Sequence, residues 1–168
     1  KGSMVAPDRL RFDFSHNQAV TPEEIADIEA EVNAQIRRNT AVATRLMAPD
    51  QAVEAGALAL FGEKYGDEVR VLSMGEVEGS NYSVELCGGT HVNALGDIAL
   101  MTIVSEGAVA SGIRRIEALT GEAARLHLAN RESQLKDVAS LFKVSPDEVA
   151  ARVETLLAER RALEKELS

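Results

Sequence analysis

The placement of glycine constrains this chain more than any other feature. The 12 glycines of the 168-residue chain, and every aromatic residue except Phe142, lie before residue 122, and the remainder is rich in Ala, Leu, Glu and Arg. Glycine suits tight turns and weakens helix interiors. The boundary therefore predicts a glycine-punctuated domain over 1–120 and a helical extension over 121–168. Charge divides at the same point, with -8 of the formal -9 in residues 1–120 and -1 in 121–168. A composition of 45% hydrophobic and 27% charged residues excludes global disorder. Apolar runs such as Ile98–Met101 fall far short of the roughly 20 residues that cross a bilayer. No basic-then-apolar leader opens the chain, and one cysteine excludes an internal disulfide framework. A cytoplasmic protein without a membrane partner is expected. The acidic balance argues against holding nucleic acid by bulk charge.

The patterning within 1–120 predicts an α+β domain, with a mostly antiparallel sheet packed with helices. Arg9–Phe14 alternates charged and apolar residues as a half-buried strand does. Thr21-Pro22-Glu23-Glu24 carries a cap, a first-turn proline and a capping-box glutamate. Ile25, Ile28, Val32 and Ile36 then place one apolar stripe on a helix ending near Asn39. Thr40–Met47 reads as a strand, and Asp50 as the cap of a brief helix running through Val53 to Leu60, with breaks at Gly62 and Gly66. Val69–Leu72, Tyr82–Leu86 and Ile98–Val104 read as strands. Ile113–Leu119 is expected to pair antiparallel with the last of these, across a turn in Gly107–Gly112. The opening Gly2-Ser3-Met4 has the look of an expression-tag scar. Beyond Gly121 a helix reaches Phe142, and Ser145-Pro146-Asp147-Glu148 starts another. Val149, Val153, Leu156, Leu163 and Leu167 give it a heptad-like rhythm, consistent with a helical hairpin, a linker or an association surface.

One segment carries chemistry, Glu85-Leu86-Cys87-Gly88-Gly89-Thr90-His91-Val92. A thiolate and an imidazole four residues apart can reach one zinc if the chain between them turns tightly, and Gly88 and Gly89 can adopt positive φ to allow it. Zinc takes three or four protein ligands, and the only other imidazoles are His16 and His127. A buried cysteine beside a glycine turn and a nucleophilic Cys87–His91 couple are the competing readings. Arg114-Arg115 is expected as an exposed pair on a sheet edge, although one of the two could meet phosphate. Phe12, Phe14 and Phe61 are expected in the core, and Glu106 stays at background.

Four motifs occur together and in order: Arg9–His16, Ala59–Tyr65, Cys87–His91 and Gly112–Ala118. The set resembles bacterial alanyl-tRNA synthetases over essentially the whole chain. The resemblance implies the second additional domain type shared with threonyl-tRNA synthetases. Residues 1–120 then correspond to the C-terminal portion of an editing (deacylase) domain, and 121–168 to the helical connector toward the C-terminal domain. The implied activity is hydrolysis of tRNA(Ala) mischarged with serine or glycine at a zinc site. Cys87 and His91 match one pair of its ligands.

The family's other ligand pair, His-x-x-x-His, is not in this sequence, and in the family it lies just upstream of Lys1-Gly2-Ser3. The same comparison favours those three residues as native. ATP and Mg2+ belong to an aminoacylation domain that this sequence does not contain. The resemblance thus implies a chain that neither charges tRNA nor edits well alone, and binds the tRNA(Ala) acceptor end weakly. It assigns no acid, base or substrate-binding residue. The alternatives are a free-standing alanyl-tRNA deacylase, which would need the same His pair, and a non-catalytic interaction module using the helical tail.

Overall fold

A computed structural model describes residues 2–57 and 67–167. The chain forms two units, Lys1–Ala124 and Arg125–Ser168. The first holds two antiparallel sheets. One has four strands in the order β1 (Gly2–Val5), β2 (Leu10–Ser15), β7 (Ile113–Thr120) and β6 (Met101–Ala110). The other has three, in the order β3 (Ala43–Met47), β4 (Val69–Val77) and β5 (Ser80–Leu86). The α+β architecture is as the patterning predicts.

Helix α1 (Pro22–Arg38) lies between β2 and β3 in the chain. Its start forms as the sequence signals: the Glu24 N–H donates to Thr21 Oγ1 at 3.2 Å, and the Thr21 N–H donates to Glu24 Oε2 at 2.8 Å. Asn39 ends it in the left-handed conformation. The apolar stripe is buried only toward its C-terminal end. Ile36 is 4% exposed, in a cluster with Met101 and Ala118 against which Leu10, Val32, Ile98 and Ile103 pack, whereas Ile28 is 38% exposed. Burying Ile36 alone contributes about 1.5–3 kcal/mol. A second core, of Ala52, Ala57, Val69, Val71 and Leu86, joins α2 (Pro49–Glu54) to the three-stranded sheet.

Polar side chains of α1 also bind both sheets. Asn33 embraces the backbone of Met101: its Oδ1 accepts the Met101 N–H at 2.9 Å and its Nδ2 donates to the Met101 carbonyl at 2.8 Å. Gln35 does the same to Glu76 on the other sheet, accepting the N–H at 3.2 Å and donating to the carbonyl at 3.5 Å. Gly75 makes this approach possible. Its φ is +71°, and a Cβ there would sit 2.7 Å from the Tyr82 Cβ and 3.0 Å from Gln35 Oε1. Asn39 Oδ1 accepts the Gly96 N–H at 2.9 Å.

Several boundaries differ from the sequence expectation. Residues 2–5, for which no element was expected, form the edge strand β1, in register with β2 from Gly2↔Asp13 to Val5↔Leu10. Strand β3 starts at Ala43, because Ala41 bridges Ala94 instead. Helix α2 begins at Pro49 after Ala48, so Asp50 sits in its first turn and does not cap it, and it ends at Glu54. Strands β4 and β5 are longer than read, since Glu78-Gly79, both at positive φ, closes a two-residue hairpin. Ile98 belongs to a short 3₁₀ turn over Leu95–Ile98, and Gly107 lies inside β6, which turns only at Ser111-Gly112. The segment Ala59–Tyr65, with Phe61, and the expected breaks at Gly62 and Gly66 lie outside the described residues.

Helix α3 (Gly121–Phe142) runs from one unit into the other. In the second unit Lys143 closes it at φ 55°, and the Glu148 carboxylate accepts both the Ser145 N–H at 3.0 Å and its hydroxyl at 2.7 Å. Helix α4 (Val149–Glu166) follows. Its heptad positions are half-buried from Val149 to Leu156 and exposed at Leu163 and Leu167. No helix among the described residues is long and apolar enough to cross a membrane.

Asn33→Ala strips both partners from the Met101 backbone and should cost about 1–3 kcal/mol. Urea unfolding followed by circular dichroism measures it. A change below about 0.5 kcal/mol, the size expected of an ordinary surface substitution, would show that the amide does not hold the helix to the sheet.

Candidate functional site

Strand β4 is central in its sheet, with Val69 and Val71 buried and Arg70 between them half-buried. The ladder continues one residue past β5, as the Cys87 N–H donates to the Arg70 carbonyl at 3.1 Å. The Arg70 side chain then returns to the same loop. Its Nε donates to the Cys87 carbonyl at 2.9 Å, and its Nη2 donates to the Gly89 carbonyl and lies 3.1 Å from His91 Nδ1. One guanidinium thus grips the Cys-Gly-Gly-Thr-His loop at three points.

Beyond His91 the exit is also fixed. The Asn93 carbonyl accepts the Val42 N–H at 2.9 Å, and Asp97 Oδ2 accepts the N–H groups of Asn93 and Ala94 at 3.2 and 3.1 Å. The loop borders a concavity of about 360 Å3, which Thr44, Arg70, Thr90, His91 and Asn93 help to line.

The structure brings Cys87 and His91 together, but not through glycine flexibility. Neither Gly88 nor Gly89 is at positive φ. Cys87 and His91 flank Gly89: a Cβ there would stand at ordinary contact distance, 3.6 Å from Cys87 Sγ and 3.9 Å from His91 Cε1. Both donor types suit zinc. The number of donors does not suffice. Among the described residues no group of three or more His, Cys, Asp or Glu side chains could hold a metal. His16 follows β2 and stacks near Phe14, with ring centroids 6.2 Å apart, and His127 lies in the second unit. These residues alone do not fit a zinc site.

The paired arginines are not an exposed edge. Strand β7 is interior to its sheet, and each side chain is committed to a carboxylate on a neighbouring strand. Arg114 Nε and Nη2 donate to Glu106 Oε1 and Oε2, both at 2.6 Å, while Arg115 Nε and Nη2 donate to Asp13 Oδ1 and Oδ2 at 2.7 and 2.8 Å. Both forks are therefore occupied by carboxylates, and Glu106 has a structural partner. Phe12 and Phe14 stack at 6.0 Å, but Phe12 is 39% exposed and neither ring belongs to the two buried clusters, so they are not the expected core. Phe14, His16, Val20 and Ile28 line an apolar groove of about 320 Å3, with Glu24 and Asp27 beside them. Sequence spacing missed Arg70, whose only signal was a cation in a predicted strand.

Residues 69–117 match the model of the threonyl and alanyl tRNA synthetase second additional domain, a span containing both Arg70 and the Cys87–His91 loop. This places the chain among proteins that carry that synthetase domain. Over its full length it is 66% identical to the alanine–tRNA ligase of Rhizorhabdus wittichii, 68% to that of Sphingopyxis alaskensis and 60% to that of Chelativorans sp.. The chain belongs to the alanyl-tRNA synthetase family. It spans about a fifth of the length of these relatives, 19% of the first two and 20% of the third.

The ion pairs make acid stability testable. Hydrogen bonds from Arg115 hold the Asp13 carboxyl below its ordinary range, and those from Arg114 do the same for Glu106. A depressed folded-state value means the unfolded chain binds protons first as pH falls. The stabilisation is therefore present above the ordinary carboxylate range, about pH 4, and lost below it. Thermal unfolding from pH 7 to 2 should fall less steeply below about pH 4 for Asp13→Asn and Glu106→Gln. Curves parallel to that of the unsubstituted chain would contradict this.

Proposed function

We propose that this chain is part of the editing apparatus of an alanine–tRNA ligase, and that its concavity beside Cys87–His91 receives the mischarged 3′ end of tRNA(Ala). The observation that carries this reading is the loop itself. A thiol and an imidazole flank Gly89, inside the segment that matches the synthetase domain. The reaction is hydrolysis of the ester joining serine or glycine to the tRNA. Thr44, Thr90 and Asn93 border the concavity and give a seryl hydroxyl polar partners that alanine cannot use. For the seryl ester, a site that pairs the hydroxyl discriminates strongly against alanine, which lacks one; it gives glycine no advantage.

In this reading Cys87 and His91 are two donors of a zinc that residues outside this chain complete. ATP-dependent charging likewise resides in the four-fifths of the relatives' length that the chain does not span. The proposed compartment is the cytoplasm. The 168 residues alone are expected to deacylate poorly and to hold zinc weakly.

Serine release from seryl-tRNA(Ala) tests the proposal, with this chain compared against a full-length relative such as the Sphingopyxis alaskensis enzyme. The relative should release serine rapidly, and Cys87→Ala or His91→Ala at the matching positions should slow it by roughly 100-fold or more, the scale of losing a principal catalytic element. Release by the chain alone at the relative's rate would overturn the proposed dependence on outside donors. Unaffected release by both variants would overturn the assignment of the site.

A further inference from the structure

We infer that the apolar groove beside the first half of α1 is a docking site for a basic amphipathic helix, supplied by the part of the longer protein that this chain does not span. The groove, about 320 Å3, is lined by Phe14 of β2, by His16 and Val20 from the connection to α1, and by Ile28 of α1 itself. The apolar stripe of α1 is longer than the core it serves. Ile36 is 4% exposed among Met101 and Ala118, and Val32 packs against that cluster, yet Ile28 on the same stripe is 38% exposed. Phe12, stacked on Phe14, is 39% exposed. Apolar surface gathered in one place in this way marks an interaction site, whereas single exposed side chains do not.

The helix beside the groove is charged with one sign. Between Pro22 and Ile36 it carries Glu23, Glu24, Asp27, Glu29 and Glu31 and no Lys or Arg, the first cations being Arg37 and Arg38. Two of these carboxylates serve the fold. Glu29 accepts the Thr102 hydroxyl and the Ile103 N–H, and Glu31 accepts the Tyr82 hydroxyl. Glu24 and Asp27 border the groove, and Asp27 is exposed with no ion pair among the described residues. Residues 24, 27 and 28 follow the three-and-four spacing of one helix face, so charge and apolar surface share a ridge.

That combination selects the occupant. Nucleic acid is repelled, because its phosphates would meet carboxylates and no Lys or Arg. A second copy of this chain brings -9 to -9, and a two-fold pairing of the groove with itself would set α1 carboxylates against each other. A helix with apolar anchors three and four residues apart, and Arg or Lys beside them, matches both the groove and its rim. The chain spans 19% of the length of two of its relatives, so about four-fifths of such a polypeptide lies outside it and can supply that helix.

The full-length Sphingopyxis alaskensis enzyme, with the photo-cross-linker p-benzoylphenylalanine at the position matching Ile28, tests this. Irradiation should join two parts of one polypeptide, leaving monomer mass on a denaturing gel. Mass spectrometry should place the link outside the segment matching the 168 residues, on an apolar side chain with Arg or Lys within one helical turn. D27K at the matching position should lower the yield roughly threefold, the scale of an exposed ion pair. D27N, isosteric with the native side chain, should lower it by less, and replacing the mapped cation by Glu should restore the yield in D27K. A link to a second polypeptide, to tRNA, within the 168 residues or to a segment without cations would overturn the inference, as would no link at all. A yield that neither D27K nor D27N changes would overturn the selection by charge.

Discussion

The first unit depends on a set of amide hydrogen bonds along one helix. Asn33 of α1 satisfies both backbone groups of Met101 in the four-stranded sheet, and Gln35 satisfies both of Glu76 in the three-stranded one. Each side chain stands in for a neighbouring strand at one residue. Two sheets that share no strand pairing are thereby tied to one rigid rod. Asn39, at the end of the same helix, holds the Gly96 N–H. The loop carrying Cys87 and His91 leaves β5 on the three-stranded sheet and returns through residues 93–97 to that helix end. Its exit is held by that helix end through Asn39, and its entry by β4 through Arg70. Apolar burial of Ile36 against Met101 and Ala118 supplies non-directional attraction. The amides supply the register.

The cations of the matched domain are already engaged. Residues 69–117 contain three cationic side chains, Arg70, Arg114 and Arg115, against six carboxylates. Arg114 and Arg115 are held bidentate by Glu106 and Asp13, and Arg70 is spent on the loop. Phosphate binding needs uncommitted cations whose neutralisation releases counterions. The net charge of -9 and a tRNA partner are therefore compatible if the site receives only the 3′ end. Affinity would then come from other parts of the longer protein, through effective concentration.

Local signals in the sequence were reliable where their physics was local. The Thr21–Glu24 box, the alternation in Arg9–Phe14, the Ile113–Leu119 strand and the helix to Phe142 each depend on near neighbours, and each is found. The Cys87–His91 pairing was legible from spacing, but its mechanism was not. Neither Gly88 nor Gly89 is at positive φ, so the turn does not use the freedom the glycines offer. Arg70 was illegible because its partners lie 17 to 21 residues away and an isolated cation in a strand gives no sign of what it reaches. The pairing of Arg114 with Glu106 and Arg115 with Asp13 needed strand order, which alternation does not encode. Strand β1 was too short to show a period.

The central claim is that Cys87 and His91 form part of a metal site completed by other residues of the longer protein. X-ray absorption at the zinc edge of a full-length relative tests it most directly. The account predicts one sulfur at roughly 2.3 Å with nitrogen donors at roughly 2.0 Å, and loss of the sulfur shell on substituting the cysteine that matches Cys87. A zinc shell without sulfur, or one unchanged by that substitution, would contradict it.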